Sequence, residues 1–124
     1  MKRYGKVLMK AACMLAAAAA VYAFEITGGP LKVFTPNGDG DNDVFRVAYY
    51  NPYDASVGGS IYSISGRHVR DMERTVYPAS STGVLAWDGK DSSGADAPAG
   101  IYIYQVSVSG EESGYESGAV VLVR

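Results

Sequence analysis

Beyond residue 23 this chain has no cysteine: the single one, Cys13, lies in its N-terminal stretch. No disulfide can staple the remainder, which must hold together by its own core. It has one histidine, His68, and one tryptophan, Trp87. With so little histidine and cysteine, the usual nucleophile–base pairs are missing, and no serine has a recognisable base and orienting acid around it. Helical period is lacking as well: after residue 23 no stretch repeats its apolar residues every 3.6 positions. Positive charge is also scarce. Seven of the 11 Lys and Arg follow Ala23, against all 13 Asp and Glu, so the net charge from Phe24 onward is −6. An acidic chain without a basic patch argues against nucleic acid and against anionic membrane surfaces as partners. Paired carboxylates occur in one loop only, and a chain this small builds no glycosidase cleft around them. The expectation is a protein that is not an enzyme.

What is present begins with a leader. Lys2, Arg3, Lys6 and Lys10 form a positive region, residues 11–21 are uncharged and apolar, and Val21-Tyr22-Ala23 offers small residues for cleavage. This pattern predicts a secretory signal peptide over residues 1–23, cut after Ala23. The apolar run is shorter than the roughly 20 residues a membrane helix needs, so no membrane span is expected after cleavage. Lys10, three residues before Cys13, argues against a lipid anchor. The chain is expected to be exported through an inner membrane and to end in the periplasm, at the cell surface or outside the cell. Residues 24–30 read as a short N-terminal segment and residues 31–124 as one domain, large enough for a core of its own.

That domain reads as short strands between turns. Val44–Tyr50 alternates Phe45, Val47 and Tyr49 with Arg46 and Ala48, the period of a half-buried strand. Leu31–Phe34 precedes it, and Asn51–Gly59 reads as a loop from its proline, aspartate and glycines. Ser60–Ser65 and Val69–Val76 read as a hairpin turning at Ser65-Gly66-Arg67. Tyr77–Gly83 is a loop, Val84–Trp87 a short strand and Asp88–Gly100 a turn-rich connection. Ile101–Ser109 alternates strictly, with Tyr102, Tyr104, Val106 and Val108 toward the core. Tyr115–Val123 closes the chain. The pattern predicts an all-β fold, an antiparallel immunoglobulin-like β-sandwich of about seven strands, with a small closed barrel as the alternative.

The densest chemistry lies in FTPNGDGDNDVF, residues 34–45. Asn37, Asp39, Asp41 and Asp43 place hard oxygen ligands at every second position, as calcium loops do. Three carboxylates in one turn repel each other, and a divalent cation would reverse that sign. The pattern is incomplete, since Asn42 stands where an EF-type loop has glycine and Ala48 where it has its bidentate Glu. The alternative is a metal-free turn whose Asn and Asp side chains cap backbone N–H groups. Trp87, Asp88 and Gly89 form a second cluster, with Trp87 expected in the core and Asp88 accepting backbone hydrogen bonds in the turn that follows. Tyr50, Tyr53, Tyr62 and Tyr77 are candidates for an exposed contact surface, with ordinary solvent-facing strand positions as the alternative. His68 reads as a solvent-facing strand residue.

FTPNGDGDNDVF resembles the opening signature of the gliding-motility-associated C-terminal domain, the type B sorting domain of type IX secretion. The resemblance continues through SIYSISGRHVR and AWDGKDSSGADAPAGIYIYQV to SGAVVLVR, covering Leu31 to Arg124. Trp87-Asp88-Gly89 followed by Gly100-Ile101-Tyr102 is its most specific part, and the middle segments are also similar to the immunoglobulin-like domain of flagellar hook-capping proteins. The chain departs from the type B pattern at Ser65-Gly66-Arg67, where that family has an Asn-Arg-Trp-Gly-like turn. Hook-capping proteins leave through the flagellar apparatus without a cleaved signal of this kind. The resemblance implies a sorting domain carried behind a passenger, yet only seven residues separate Ala23 from Leu31. The expected function is therefore a non-catalytic secreted or cell-surface module acting by protein contact, with calcium as its candidate stabilising ion. The alternative is a sorting domain whose passenger is absent or truncated. The partner expected on either reading is an envelope or secretion-machinery protein.

Overall fold

The computed structural model describes residues 24–28, 33–110 and 113–124. The leader expected over residues 1–23 lies outside the described residues. Among the described residues nine strands follow in order: β1 (Glu25–Gly28), β2 (Val33–Phe34), β3 (Phe45–Tyr50), β4 (Ser56–Ser63), β5 (His68–Asp71), β6 (Glu73–Tyr77), β7 (Thr82–Trp87), β8 (Gly100–Ser109) and β9 (Gly114–Leu122). They form two open sheets, ordered β1-β3-β7-β6 and β2-β9-β8-β4-β5. The expected β-sandwich is what the chain builds, and the sheets do not close into a barrel. Among the described residues no helix is long and apolar enough to cross a membrane.

The alternation read from the sequence becomes the core. Phe45, Val47 and Tyr49 of β3 and Leu85 and Trp87 of β7 face inward from one sheet. Ile61, Tyr102, Val106, Val120 and Leu122 meet them from the other, and all of these are buried. Period-two side chains on two facing sheets leave only this layer to fill. On β8, Tyr104 is half-buried and packs against the core.

The strand inventory differs from expectation in four places. Glu25–Gly28 is a strand paired antiparallel with β3, so this sheet begins upstream of Leu31. β4 begins at Ser56, inside the stretch read as a loop, because Gly58 and Gly59 are strand residues facing a close neighbour. A Cβ on Gly59 would lie 2.8 Å from the Met72 sulfur and 3.1 Å from Leu85 Cδ1. The run Val69–Val76 is two strands: β5 pairs with β4, and β6 pairs with β7 in the other sheet. The chain changes sheets at Met72, whose side chain is buried and whose N–H donates to Gly59 O at 2.8 Å. Finally, β2 runs parallel to β9, through Val33–Val121 and Phe34–Leu122, in an otherwise antiparallel arrangement of described strands.

Candidate functional site

The loop between β2 and β3 is built around one carboxylate. Asp43 Oδ1 accepts from the N–H groups of Asn37 (3.1 Å) and Gly38 (3.0 Å), and Oδ2 accepts from Gly40 N–H (2.7 Å). Asn37 Oδ1 accepts from Asp39 N–H, and Asp39 Oδ1 from Asp41 N–H, each a side chain turning onto the backbone two residues on. Thr35 N–H closes the loop on Asn42 O at 2.8 Å. Gly38 and Gly40 have φ of 81° and 85°, which lets successive N–H groups point at a common acceptor. The Gly40 N–H, ahead of those of Gly38 and Asn37, holds the Asp43 carboxyl below its ordinary range against a partial desolvation that pushes the other way.

Asn37, Asp39 and Asp43 thus share one network, while Asp41 enters it through its backbone N–H. Among the described residues no three Asp, Glu, His or Cys side chains gather in a cluster able to hold a metal ion. Both oxygens of Asp43 are committed to backbone donors. In this conformation the loop is organised by its own amides.

The connection after Trp87 is ordered in the same way. Trp87 is buried, its ring 5.3 Å from Phe34 and 5.1 Å from Tyr102, and its Nε1–H donates to Lys90 O at 2.8 Å. Asp88 Oδ1 accepts from Lys90 N–H at 3.1 Å. Asp91 Oδ1 gathers the Ser93 N–H, the Ser93 hydroxyl and the Ala95 N–H, and its carboxyl is held low chiefly by that hydroxyl. Asp96 pairs with Lys90 at 3.0 Å and is held low by it. The Tyr102 hydroxyl donates to Pro98 O, and burial pushes its pKa up. Gly100 opens β8 opposite Leu122.

Gly89 is where the two loops meet. Its φ is 84°, and a Cβ there would come within 3.1 Å of Pro36 Cγ, 3.0 Å of Leu122 Cδ1 and 3.2 Å of an Arg124 guanidinium nitrogen. Arg124 fastens the junction, donating from Nε to Ala97 O (2.9 Å) and from Nη2 to Gly89 O (2.8 Å). The sequence motifs around residues 34–45 and 87–102 therefore form one end of the sandwich.

Asp91 and Arg124 were not singled out from the sequence. Asp91-Ser92-Ser93-Gly94 carries the signal of a side-chain-capped turn, whereas nothing local marks Arg124, whose partners lie 27 and 35 residues away. Of the tyrosines, Tyr53, Tyr77 and Tyr50 are exposed, while Tyr62 is half-buried with its ring edge-on to His68 at 5.6 Å. Chemically, each of the carboxylates Asp43, Asp88, Asp91 and Asp96 at this end accepts from neighbouring N–H, O–H or ammonium groups, and the shifts found on Asp43, Asp91 and Asp96 all favour the ionised form. That is the behaviour of carboxylates held ionised by their hydrogen-bond donors. A general acid would need the opposite shift.

A comparison with curated proteins returns no match to this chain. The family model of the CHU_C type IX secretion signal domain matches residues 29–122, from just before β2 to the last residue of β9, and the chain belongs to that family.

Proposed function

We propose that this sandwich is a module recognised by contact, whose partner is an envelope or secretion-machinery protein and whose loops 35–44 and 88–99 form the rigid end of the recognised body. The observation that carries this reading is the coincidence of the family match, residues 29–122, with strands β2 to β9 of the two-sheet fold. A secretion signal of this kind is a folded domain and not a short linear tag. The family is one of non-enzymatic signals for secreted or cell-surface proteins, and the low-shifted carboxylates of the loops fit that role. Calcium enters this reading as a loop-ordering ion on Asn37, Asp39, Asp41 and Asp43, provided that Asp43 releases its backbone donors to let three carboxylates converge.

The test is a reporter enzyme carrying its own signal peptide, with residues 24–124 fused behind it, expressed in hosts with and without a type IX secretion system. The expected result is reporter outside the outer membrane only where the system is present. Reporter confined to the periplasm in both hosts would leave the module without a sorting role. The free-standing reading would then stand.

A further inference from the structure

We propose that the outer edge of β6 accepts an extended strand of a partner protein, with one carboxamide side chain of that strand seated in the cavity beside Arg74 and Tyr49. This goes beyond the export reading. It concerns the other end of the sandwich, since Thr82 opens β7 at the cavity and Trp87 closes it at the motif loops.

Among the described residues β6 is the last strand of its sheet, paired only with β7, and all five of its residues are exposed. One alternate set of its N–H and C=O groups therefore points away from the sheet, which is the template for strand addition. The inner-facing residues of β6 are Arg74, opposite Leu85, and Val76, opposite Gly83. Both line a cavity of about 100 Å3 whose other walls include Tyr49, Asn51, Asp54 and Thr82. A strand added to β6 places its own inner-facing side chains in the same layer, so one of them enters this cavity.

The groups left open in the cavity define that side chain. Tyr49 is 2% exposed, and its ring lies across Gly83, where a Cβ would come 2.9 Å from Tyr49 Cε1. The glycine lets the ring lie flat and carries the hydroxyl to the cavity, where it has no hydrogen-bond partner among the described residues. Arg74 donates from Nη1 to Val57 O at 2.9 Å and keeps its other N–H groups. The Asn51 amide is engaged with Ala55, and the Thr82 hydroxyl with Ser80. Two donor residues, Tyr49 and Arg74, thus line a space that Asp54 also borders. A carboxamide satisfies all three, its oxygen accepting from Tyr49 and Arg74 and its NH2 donating to Asp54. A cationic side chain offers no acceptor to Tyr49 and Arg74, an anionic one no donor to Asp54, and an apolar one leaves the buried hydroxyl unpaired. The volume suits one head group of that size. A second copy does not supply it: the chain's Asn37 and Asn42 belong to the motif loop, Asn51 is engaged, and Gln105 lies in the interior strand β8.

The experiment uses the isotope-labelled chain purified after export, and capped heptapeptides Thr-Val-Thr-X-Thr-Val-Thr as probes, with X varied. Peptides with X as Gln or Asn are expected to bind at least about tenfold more tightly than those with Leu, Lys or Glu, with amide shifts confined to β6 and its neighbours. Tyr49→Phe, which keeps the ring, and Arg74→Ala are each expected to reduce the Gln peptide to the level of the Leu peptide. The proposal is overturned by binding indifferent to X, by shifts elsewhere, or by no binding from any probe. Concentration-dependent self-association with the β6 shifts would hand this edge to a second copy and overturn it equally.

Discussion

A single carboxylate, that of Asp43, accepts three backbone N–H groups, and the loop from Thr35 to Val44 is arranged to deliver them. Asp43→Ala removes the common acceptor and is expected to lower the melting temperature, whereas Asp43→Asn, keeping one acceptor oxygen, is expected to lower it less. Amide exchange at Gly38 and Gly40 is the direct readout. Acid should act through the same groups. Asp43, Asp71, Asp91 and Asp96 all have folded-state pKa values below the ordinary 3.8. A depressed carboxyl stabilises the fold above its unfolded pKa, and that stability is lost as pH falls through the folded value. Melting temperature is thus expected to hold down to about pH 5 and to fall below about pH 4. A rise in stability on acidification would contradict this assignment. At this scale the sequence showed the turn chemistry of residues 34–45. It did not show which aspartate stands at the centre, because that depends on the φ angles of Gly38, Gly40 and Asn42. Calcium is checked in the same melts. An ion at about 100 times its dissociation constant would add roughly 2.7 kcal/mol, a rise of about 10–20 °C at 4–8 °C per kcal/mol. A rise of that size, abolished by Asp41→Ala, is expected if the loop is ordered by calcium, and no shift would reduce it to a turn organised by its own amides.

Among the elements, two strand pairs share one device. Tyr49 of β3 stands opposite Gly83 of β7, and Tyr104 of β8 opposite Gly118 of β9. Each ring lies over the glycine, so a Cβ on Gly118 would come 2.7 Å from Tyr104 Cε2. Gly83→Ala and Gly118→Ala are therefore expected to cost about 1–3 kcal/mol each through overpacking, read as a lower midpoint in urea with an unchanged slope. Arg124→Ala strands two loop carbonyls and is expected to cost about 1–3 kcal/mol, with exchange quickening at Gly89 and Ala97. β3 was legible because its Phe45, Val47 and Tyr49 face is buried and the other is not, whereas on β8 only Tyr102 and Val106 of the expected core face are buried and Tyr104 and Val108 are half-buried. β4 was not, because Gly58 and Gly59 carry the composition of a loop while the space at Gly59 is taken by Met72 and Leu85. The break at Met72 was hidden too, since Val69–Val76 looks continuous and only the facing sheets make the chain change partners. β1 is too short for its period to register.

For the whole molecule, the motif residues and the core are the same object. Phe34, Phe45, Trp87 and Tyr102 join the two loops to the interior through ring contacts of 5.1–6.3 Å. Whatever reads this domain reads a body whose surface depends on that stack. Trp87→Ala is expected to cost about 3–5 kcal/mol, a large share of the 5–15 kcal/mol that holds a typical domain together. The all-β character, the sandwich and the family resemblance were legible because they rest on period and local motif. The joining of two distant loops at Gly89 and the cavity beside β6 were not, because each is assembled from segments far apart in the chain. The most direct test of the central claim compares two reporter fusions in a host with type IX secretion, one carrying residues 24–124 and the other the same segment with Trp87→Ala. Surface protease digestion of intact cells measures the fraction of each that crosses the outer membrane. If the folded sandwich is the signal, the first fusion is found outside and the second stays in the periplasm; equal export of both would contradict the account and place the signal in a linear stretch.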